Sequence, residues 1–242
     1  MTHQKSPYQN RIKLYSDGAD RAQLLEMNTN PAISGMTTNP SLMKKAGVKN
    51  YKEFCQEILT HITSKPISFE VFADDISEMK RQALEIAKWG KNIYVKIPVM
   101  NTRKESTMGL VRELSNSGVK LNITALFTLN QVLETCQAVK GGAPALVSVF
   151  AGRIADTGRD PMPLMKASSE ICHSTGPGVE LLWASTREAF NIVQAEESGC
   201  DIITAPVDVL KKITGFNKDL FEMSLDTIKM FKADSESAGF QL

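Results

Sequence analysis

One lysine of this sequence lies inside an apolar segment, Ile93-Tyr94-Val95-Lys96-Ile97-Pro98-Val99. The segment is typical of a buried strand. Burying an unpaired ammonium group is costly, so such an amine tends to lose its proton. An uncharged lysine near neutral pH is a nucleophile, and its usual partner is a carbonyl carbon. The alternative is a lysine at a strand end whose side chain reaches water. The segment by itself does not decide between the two.

Other polar side chains stand at or just after the ends of further apolar segments. Several of them have a purely structural explanation as an alternative to a chemical one. Asp17 could cap a helix, Asn39 before Pro40 could be a turn signal, and residues 185–187 could be helix caps. Glu70 is harder to explain in this way, because a buried carboxylate needs a partner or a function. Hydroxyls and an arginine at a helix start also suit a phosphate. The set comprises Asp17, Thr37, Asn39, Glu70, Asn122, Thr124, Ser148, Arg153, Ser185 and Arg187.

The elements that must position these side chains form an alternating pattern of short apolar segments and longer amphipathic ones. Such a pattern predicts an α/β fold, either a closed (β/α)8 TIM barrel or an open doubly wound sheet. No GxGxxG follows the first strand, and the eight units are nearly equal, so the barrel is favoured. The candidate strands are 12–16, 33–36, 67–72, 93–97, 121–126, 146–150, 180–184 and 201–204.

Chemistry in such a barrel sits at the carboxyl ends of the strands, so the polar set is expected to converge on one mouth. The eighth strand ends at Ala205-Pro206 and offers nothing reactive. No linker rich in Pro, Gly or Ser interrupts the chain, which predicts a single domain over residues 1–242. An extra amphipathic helix is predicted at 218–232. The tail, 234–242, is expected to be loosely held and either to dock on a neighbouring subunit or to fray.

Composition excludes several classes of function. The 242 residues carry a formal net charge of +1, which gives no reason to expect a nucleic-acid or membrane-surface partner. Four scattered cysteines and three scattered histidines predict no metal site and no CxxC redox motif. The thiols are expected to act as small buried hydrophobes. The first residues lack the apolar stretch of a signal peptide, so a cytoplasmic location is expected.

Five sequence landmarks resemble the transaldolase family, including its short members and the related fructose-6-phosphate aldolases. The resemblance runs from about residue 14 to residue 210, and the Thr-Thr-Asn-Pro and Lys-Ile-Pro pieces are specific in order and spacing. The landmarks are Leu14-Tyr15-Ser16-Asp17, Gly35-Met36-Thr37-Thr38-Asn39-Pro40-Ser41, Val95-Lys96-Ile97-Pro98, Asn122-Ile123-Thr124-Ala125 and Val149-Phe150-Ala151-Gly152-Arg153-Ile154.

The resemblance implies a barrel of the class I aldolase type, acting on sugar phosphates without a metal or cofactor. Lys96 matches the Schiff-base lysine and Asp17 the acid/base carboxylate, while Glu70 and Thr124 match the pair that holds a catalytic water. The remaining matches are substrate contacts and the phosphate-binding group. They are Thr37, Asn39, Asn122, Ser148 and Phe150 for the substrate, and Arg153, Ser185 and Arg187 for the phosphate. Short members of the family also form pentamer-based rings, often decamers, so a homo-oligomer is expected.

Two positions indicate the type of reaction. Glu70 and Phe150 resemble the transaldolases, where the aldolase branch tends to have Gln and Tyr. The chain departs from the family's usual pattern in three places: at Met100-Asn101, at Trp183 and at Thr186. The last two flank the expected phosphate pocket and leave the identity of the sugar open.

The expected reaction is transfer of a dihydroxyacetone unit from a ketose phosphate to an aldose phosphate. Lys96 would attack the C2 ketone, and the resulting iminium would act as the electron sink for breaking the C3–C4 bond. Asp17 would take the C4 hydroxyl proton. Two alternatives remain: an aldolase that releases free dihydroxyacetone, and a barrel that binds sugar phosphates without turning them over.

Overall fold

A computed structural model describes residues 11–241 of the chain. Within them the chain divides into two compact units, residues 11–210 and residues 211–241. The first unit is a closed barrel in which eight parallel strands pair in chain order, and the last pairs with the first. The strands are β1 Lys13–Asp17, β2 Ile33–Thr37, β3 Ile67–Glu70, β4 Ile93–Pro98, β5 Leu121–Leu126, β6 Ala145–Val149, β7 Val179–Trp183 and β8 Ile202–Ala205.

Helices follow each strand, so the predicted (β/α)8 barrel is confirmed. The predicted strands agree with the observed ones to within two residues at each end. The helices of the barrel unit are α1 Arg21–Thr29, α2 Pro40–Lys45, α3 Tyr51–His61, α4 Ile76–Ala87, α5 Met108–Asn116, α6 Leu129–Val139, α7 Ala151–Ala155, α8 Met162–Thr175, α9 Phe190–Glu197 and α10 Val207–Lys211, the last reaching one residue into the second unit.

The core of the barrel is filled by side chains from several strands. Tyr15 on β1 packs with Leu146, Leu182 and Ile202 in one buried cluster. Gly35 on β2 makes room for it, because a Cβ atom at this position would lie 2.5 Å from the Tyr15 ring. The four cysteines are buried free thiols, as expected from the sequence. The interior below the mouth is therefore packed, and open space is left at the carboxyl ends of the strands.

The second unit contains a 3-10 turn, Lys212–Gly215, and a long helix, α11 Leu220–Ala238. Asp219 caps the start of α11 and Gly239, in a left-handed conformation, its end. The helix is longer than the predicted 218–232 because it continues through most of the segment that was expected to be loosely held. Most of its large apolar side chains are more than half exposed, as in Leu220, Phe221 and Phe231, whereas Leu225 is partly buried. In residues 11–241 no helix is long and apolar enough to cross a membrane.

Candidate active site

A cavity of about 550 Å³ opens at the carboxyl ends of the strands. All twelve side chains singled out from the sequence line it, so the structure brings them together at one mouth. They are Asp17, Thr37, Asn39, Glu70, Lys96, Asn122, Thr124, Ser148, Phe150, Arg153, Ser185 and Arg187. A larger groove of about 670 Å³ lies beside Tyr51 and Trp89 and contains none of these twelve residues.

Lys96 is 6% exposed and has a charged partner. Its Nζ lies 3.1 Å from Oε2 of Glu70 and donates to the carbonyl of Thr38 at 3.1 Å. Strand pairing explains the contact, since Glu70 on β3 lies in register with Lys96 on β4. The premise that this lysine is an unpaired cation is therefore wrong. The amine has instead a carboxylate within reach that can exchange a proton with it.

Asp17 ends β1 and points into the same cavity. Burial raises the pKa of its carboxyl group, while the nearby Lys96 and a hydrogen bond from Thr37 act in the opposite direction. The Thr37 hydroxyl donates to Oδ1 of Asp17 at 2.8 Å. The helix-cap alternative for Asp17 is wrong, because Asp20 caps the following helix, α1. Asp17 is thus a carboxyl group with no cap to make, in a position to hold or release a proton.

Amide and hydroxyl groups form the floor of the cavity between β3 and β6. Asn122 donates through Nδ2 to Ser68 at 2.9 Å and accepts through Oδ1 from Ser148 at 2.6 Å. This chain holds the Asn122 amide in one orientation. The buried hydroxyl of Thr124 has no hydrogen-bond partner within the described residues. A buried hydroxyl without a partner is a natural position for a bound water or a substrate oxygen.

Asn39 has two functions in this arrangement. Its Oδ1 caps α2 by accepting from the backbone N–H of Leu42 at 2.9 Å, with Pro40 at the first position of the helix. The turn signal recognised in the sequence is therefore real. The same side chain lines the cavity, and its Nδ2 group is the part that can donate to a sugar hydroxyl.

Two basic side chains follow β6 and β7: Arg153 lies in α7, and Arg187 lies in the loop after β7. Arg187 donates from Nε and Nη2 to the carboxylate of Asp156, and this pairing lowers the pKa of Asp156. The Arg153 guanidinium lies 5.1 Å from the centre of the Phe150 ring, a cation–π distance. Two guanidinium groups in one cavity suit an anionic ligand.

Ser185 completes this basic end of the cavity. Its backbone has a φ of 63°, a conformation that non-glycine residues rarely adopt, and its buried hydroxyl lacks a partner within residues 11–241. The prediction that residues 185–187 open a helix is wrong, because α9 begins only at Phe190. A strained turn, and not a helix start, therefore presents Ser185 and Arg187 to the cavity.

Three polar residues of this region were missed in the sequence. Ser68 orients Asn122, and Asp156 pairs with Arg187. Thr204 lines the cavity with a hydroxyl group 2.5 Å from that of Thr37, although the eighth strand was expected to offer nothing reactive. Alternation of side chains along β8 is the signal that could have found Thr204, since every second residue faces the barrel interior.

Of the two departures that flank the expected phosphate pocket, only one lines the cavity. Thr186 lines the cavity and donates through Oγ1 to the carbonyl of Thr204 at 2.7 Å. Trp183 is fully buried and is not part of the cavity lining. Any direct effect of these departures on ligand choice therefore belongs to Thr186.

The fold and the cavity together define a (β/α)8 barrel with one buried amine, two carboxylates and two guanidinium groups in a cavity at the carboxyl ends of its strands. Comparison with known proteins agrees with this class. Residues 14–242 match the family model described as Transaldolase/Fructose-6-phosphate aldolase. A "Probable transaldolase" from Methanococcus maripaludis strain C5 is 38% identical over 226 residues, covering 93% of this chain and 98% of the relative.

Other relatives carry the same description. A "Probable transaldolase" from Thermoanaerobacter sp. strain X514 is 35% identical over 231 residues, covering 96% of this chain and all of the relative. One from Clostridium acetobutylicum is 37% identical over 202 residues, covering 84% of this chain and 89% of the relative. The chain belongs to the transaldolase and fructose-6-phosphate aldolase family, and the protein is an enzyme of that family.

Proposed function

We propose that this enzyme is a transaldolase that carries a dihydroxyacetone unit on Lys96 as a Schiff base, between a ketose phosphate and an aldose phosphate. The observation that carries the proposal is the position of Lys96. Its amine is buried in the mouth of the barrel, 3.1 Å from Glu70, in the cavity that also contains Asp17 and two arginines. An amine, proton-exchanging groups and an anion site are what covalent chemistry on a ketose phosphate requires.

The first stage is formation of the imine. Lys96 must lose a proton before it attacks the C2 ketone, and the Glu70 carboxylate is near enough to take it. A water held between Glu70 and the unpartnered hydroxyl of Thr124 then moves protons while the carbinolamine loses its oxygen as water. The product is an iminium ion that links Nζ of Lys96 to C2 of the sugar.

The second stage is cleavage and transfer. Asp17 takes the C4 hydroxyl proton, the C3–C4 bonding pair moves towards the iminium, and an aldehyde leaves. The three-carbon enamine stays on Lys96 until an acceptor aldehyde binds. Its attack on that aldehyde forms the new bond, and Asp17 returns the proton. Asn39, Asn122 and Ser148 would contact the sugar hydroxyls during both halves of the reaction, with Thr37 and Phe150 as further contacts.

Remote binding aligns the reacting carbon. Arg187, Arg153 and Ser185 would hold the phosphate, and binding energy from that group would orient the C2 carbonyl towards Lys96. Asp156 leaves Nη1 of Arg187 for the ligand, because it occupies Nε and Nη2.

Reductive trapping tests the covalent step. Incubation with fructose 6-phosphate and borohydride should attach a three- or six-carbon adduct to Lys96, found by peptide mass spectrometry. Lys96→Met should show no adduct and no turnover. Lys120→Met is the matched control, since Lys120 lies over the Tyr94 ring and does not line the cavity. Turnover that survives Lys96→Met would disprove the Schiff-base mechanism, and a wild-type enzyme without an adduct would favour a barrel that only binds sugar phosphates.

The second candidate function is an aldolase that releases free dihydroxyacetone. In an aldolase, water protonates the enamine. In a transaldolase, an acceptor aldehyde captures it. Glu70 and Phe150 favour transfer by their resemblance to the transaldolases. Fructose 6-phosphate should therefore be consumed much faster with erythrose 4-phosphate present than without an acceptor. Equal rates, with free dihydroxyacetone accumulating, would identify an aldolase.

We also propose that the enzyme is a homo-oligomer of barrel domains, each with an appended C-terminal helix. The support is the resemblance to short family members that form pentamer-based rings or decamers, together with the exposed apolar side chains of α11. Large exposed apolar surfaces mark sites of interaction with other proteins.

A further inference from the structure

The hydroxyl of Thr204 extends the hydrogen bond between Asp17 and Thr37. Thr37 Oγ1 donates to Asp17 Oδ1 at 2.8 Å and lies 2.5 Å from Thr204 Oγ1. A threonine hydroxyl has one proton to donate and can also accept. If Thr37 gives its proton to Asp17, the bond to Thr204 must have Thr204 as its donor. While Asp17 is ionised, the chain therefore runs in one direction, from Thr204 through Thr37 to Asp17.

The same chain can also run in the opposite direction. When Asp17 is protonated it can donate to Thr37, and Thr37 can then donate to Thr204. A backbone carbonyl or an N–H group in place of the Thr204 hydroxyl would permit only one direction. Because the chain ends on a hydroxyl, the buried groups stay paired in both protonation states of Asp17.

We propose that Thr204 is a positioning residue that holds Thr37 against Asp17 and allows Asp17 to alternate between base and acid. The inference rests on the proposed function, in which Asp17 accepts the C4 hydroxyl proton when the C3–C4 bond breaks. In the second half, the same proton returns to the oxygen of the acceptor aldehyde as the new bond forms. One carboxyl group thus needs a surrounding network that supports both of its states.

Burial and one further hydrogen bond hold Thr204 in place. Thr204 is 4% exposed on β8, and its backbone carbonyl accepts from the Thr186 hydroxyl at 2.7 Å. Thr186, one of the departures from the family's usual pattern, therefore has a structural effect on Thr204. The network links the loop after β7 to β8, β2 and β1 across the mouth of the barrel.

The pKa of Asp17 depends on the charged groups and the hydroxyls that surround it. Lys96 on β4 stabilises the ionised form, Glu70 on β3 pairs with Lys96, and Arg153 and Arg187 line the same cavity. The neighbouring strands β2 and β8 contribute the hydroxyls of Thr37 and Thr204. Burial raises the pKa of Asp17 and the hydrogen bond from Thr37 lowers it. Loss of the Thr204 hydroxyl weakens that donor, so the pKa of Asp17 should rise further.

Replacement of Thr204 by valine removes the hydroxyl and keeps the shape of the side chain. Thr204→Val should move the acidic limb of the kcat profile to higher pH, because Asp17 must be ionised to act as the base. At neutral pH kcat should fall by about three- to tenfold, the effect of losing one buried hydrogen bond, with KM little changed. Thr204→Ser keeps the hydroxyl and should therefore show the pH profile of the wild type. Circular dichroism checks that each variant is folded, and Thr204→Ala replaces Thr204→Val if the valine variant is not.

The outcomes separate this inference from the proposed function. An unmoved acidic limb in Thr204→Val, with a normal Lys96 adduct and no turnover in Asp17→Asn, would overturn the role of Thr204 alone. Equal losses in the valine and serine variants would also overturn it, since the hydroxyl would then not matter. A wild-type enzyme that forms no Lys96 adduct would instead reject the function on which the inference rests.

Discussion

At the scale of single residues, the site depends on how each charge is paired. Lys96 has Glu70 as a partner, and Arg187 has Asp156. Asp17 has a hydroxyl donor in Thr37 and the positive charge of Lys96 nearby, yet burial still raises its pKa. The enzyme therefore keeps a carboxyl group in a place that is unfavourable for its ionised form, which is common for groups that must exchange protons.

Asp17→Asn should make the protein more stable at neutral pH while it abolishes transfer. A raised pKa means that the folded protein binds this proton more tightly than the unfolded chain. The stability from this group is present below the ordinary aspartate pKa and is lost as pH rises through the raised value. Asparagine removes that loss and can still accept from Thr37. The melting temperature should rise by about 2–4 °C for each kcal/mol regained.

Thermal melts of both proteins between pH 4 and pH 8 test this expectation. The difference in melting temperature should be small at the acidic end and largest at pH 8. A variant that is less stable than the wild type at pH 8 would show that the stabilising contacts of the carboxylate outweigh the free-energy cost of burying it.

Arg187→Lys should raise KM for phosphorylated donors by about tenfold, with a smaller effect on kcat. Lysine cannot hold Asp156 through two nitrogen atoms and a phosphate through a third, as a guanidinium can. Steady-state kinetics with fructose 6-phosphate measure the change. Arg159→Lys is the control, because Arg159 bonds Thr157 and does not line the cavity. An unchanged KM in Arg187→Lys would remove Arg187 from the phosphate site.

At the scale of elements, the close approach of the loops after β6 and β7 builds the basic end of the cavity. Gly152 at the start of α7 permits this approach, since its backbone N–H reaches the carbonyl of Ala184 at 3.5 Å. A Cβ atom on Gly152 would lie 1.7 Å from the backbone oxygen of Ser185 and 3.1 Å from Cγ of Arg187. No rotamer change can relieve a collision with backbone, so the turn that carries Ser185 and Arg187, both proposed to bind the phosphate, depends on this glycine.

Gly152→Ala should therefore displace residues 185–187 and raise KM for fructose 6-phosphate by at least about tenfold, in line with the cost of overpacking. Trapping of unphosphorylated dihydroxyacetone on Lys96 should persist, because that ligand makes no use of the phosphate site. Gly109→Ala, on α5, is the matched control, as no atom lies within 4 Å of its Cβ position. A folded Gly152→Ala enzyme with a wild-type KM would contradict this account of the loop.

At the scale of the whole molecule, the C-terminal unit has an amphipathic helix, most of whose large apolar side chains are exposed. Leu220, Phe221, Ile228 and Phe231 of α11 are each at least 61% exposed. A helix normally buries its apolar stripe against another element, so this one is expected to pack in an assembly of chains.

The double substitution Phe221→Ser with Ile228→Ser should break such an assembly. Analytical ultracentrifugation should give a wild-type mass that is a multiple of the chain mass, and a variant mass at or near that of one chain. Lys229→Ser, a change at a polar position of the same helix, should leave the mass unchanged. A wild-type protein that sediments as a monomer would contradict the proposed oligomer.

The order of the strands and the approximate position of the site followed from local patterns in the sequence. Eight nearly equal apolar segments alternating with amphipathic ones, with no GxGxxG after the first, favour a barrel over an open sheet, and a barrel brings all strand ends to one mouth. Lys96, Asp17 and Glu70 could be singled out because a charged residue in or at the end of an apolar strand conflicts with its surroundings. Such conflicts are local and can be read without a structure.

Contacts between strands far apart in the chain were decided only by the tertiary structure. The Lys96–Glu70 pair depends on the register of β3 against β4, and the Thr37–Thr204 contact joins residues 167 positions apart. Nothing in its own segment distinguishes Asp156. Alternation along β8 can place Thr204 inside the barrel, but it cannot place Thr204 beside Thr37. Which charge finds a partner, and which hydroxyl completes a chain, depends on distances of a few ångströms that closure of the barrel sets.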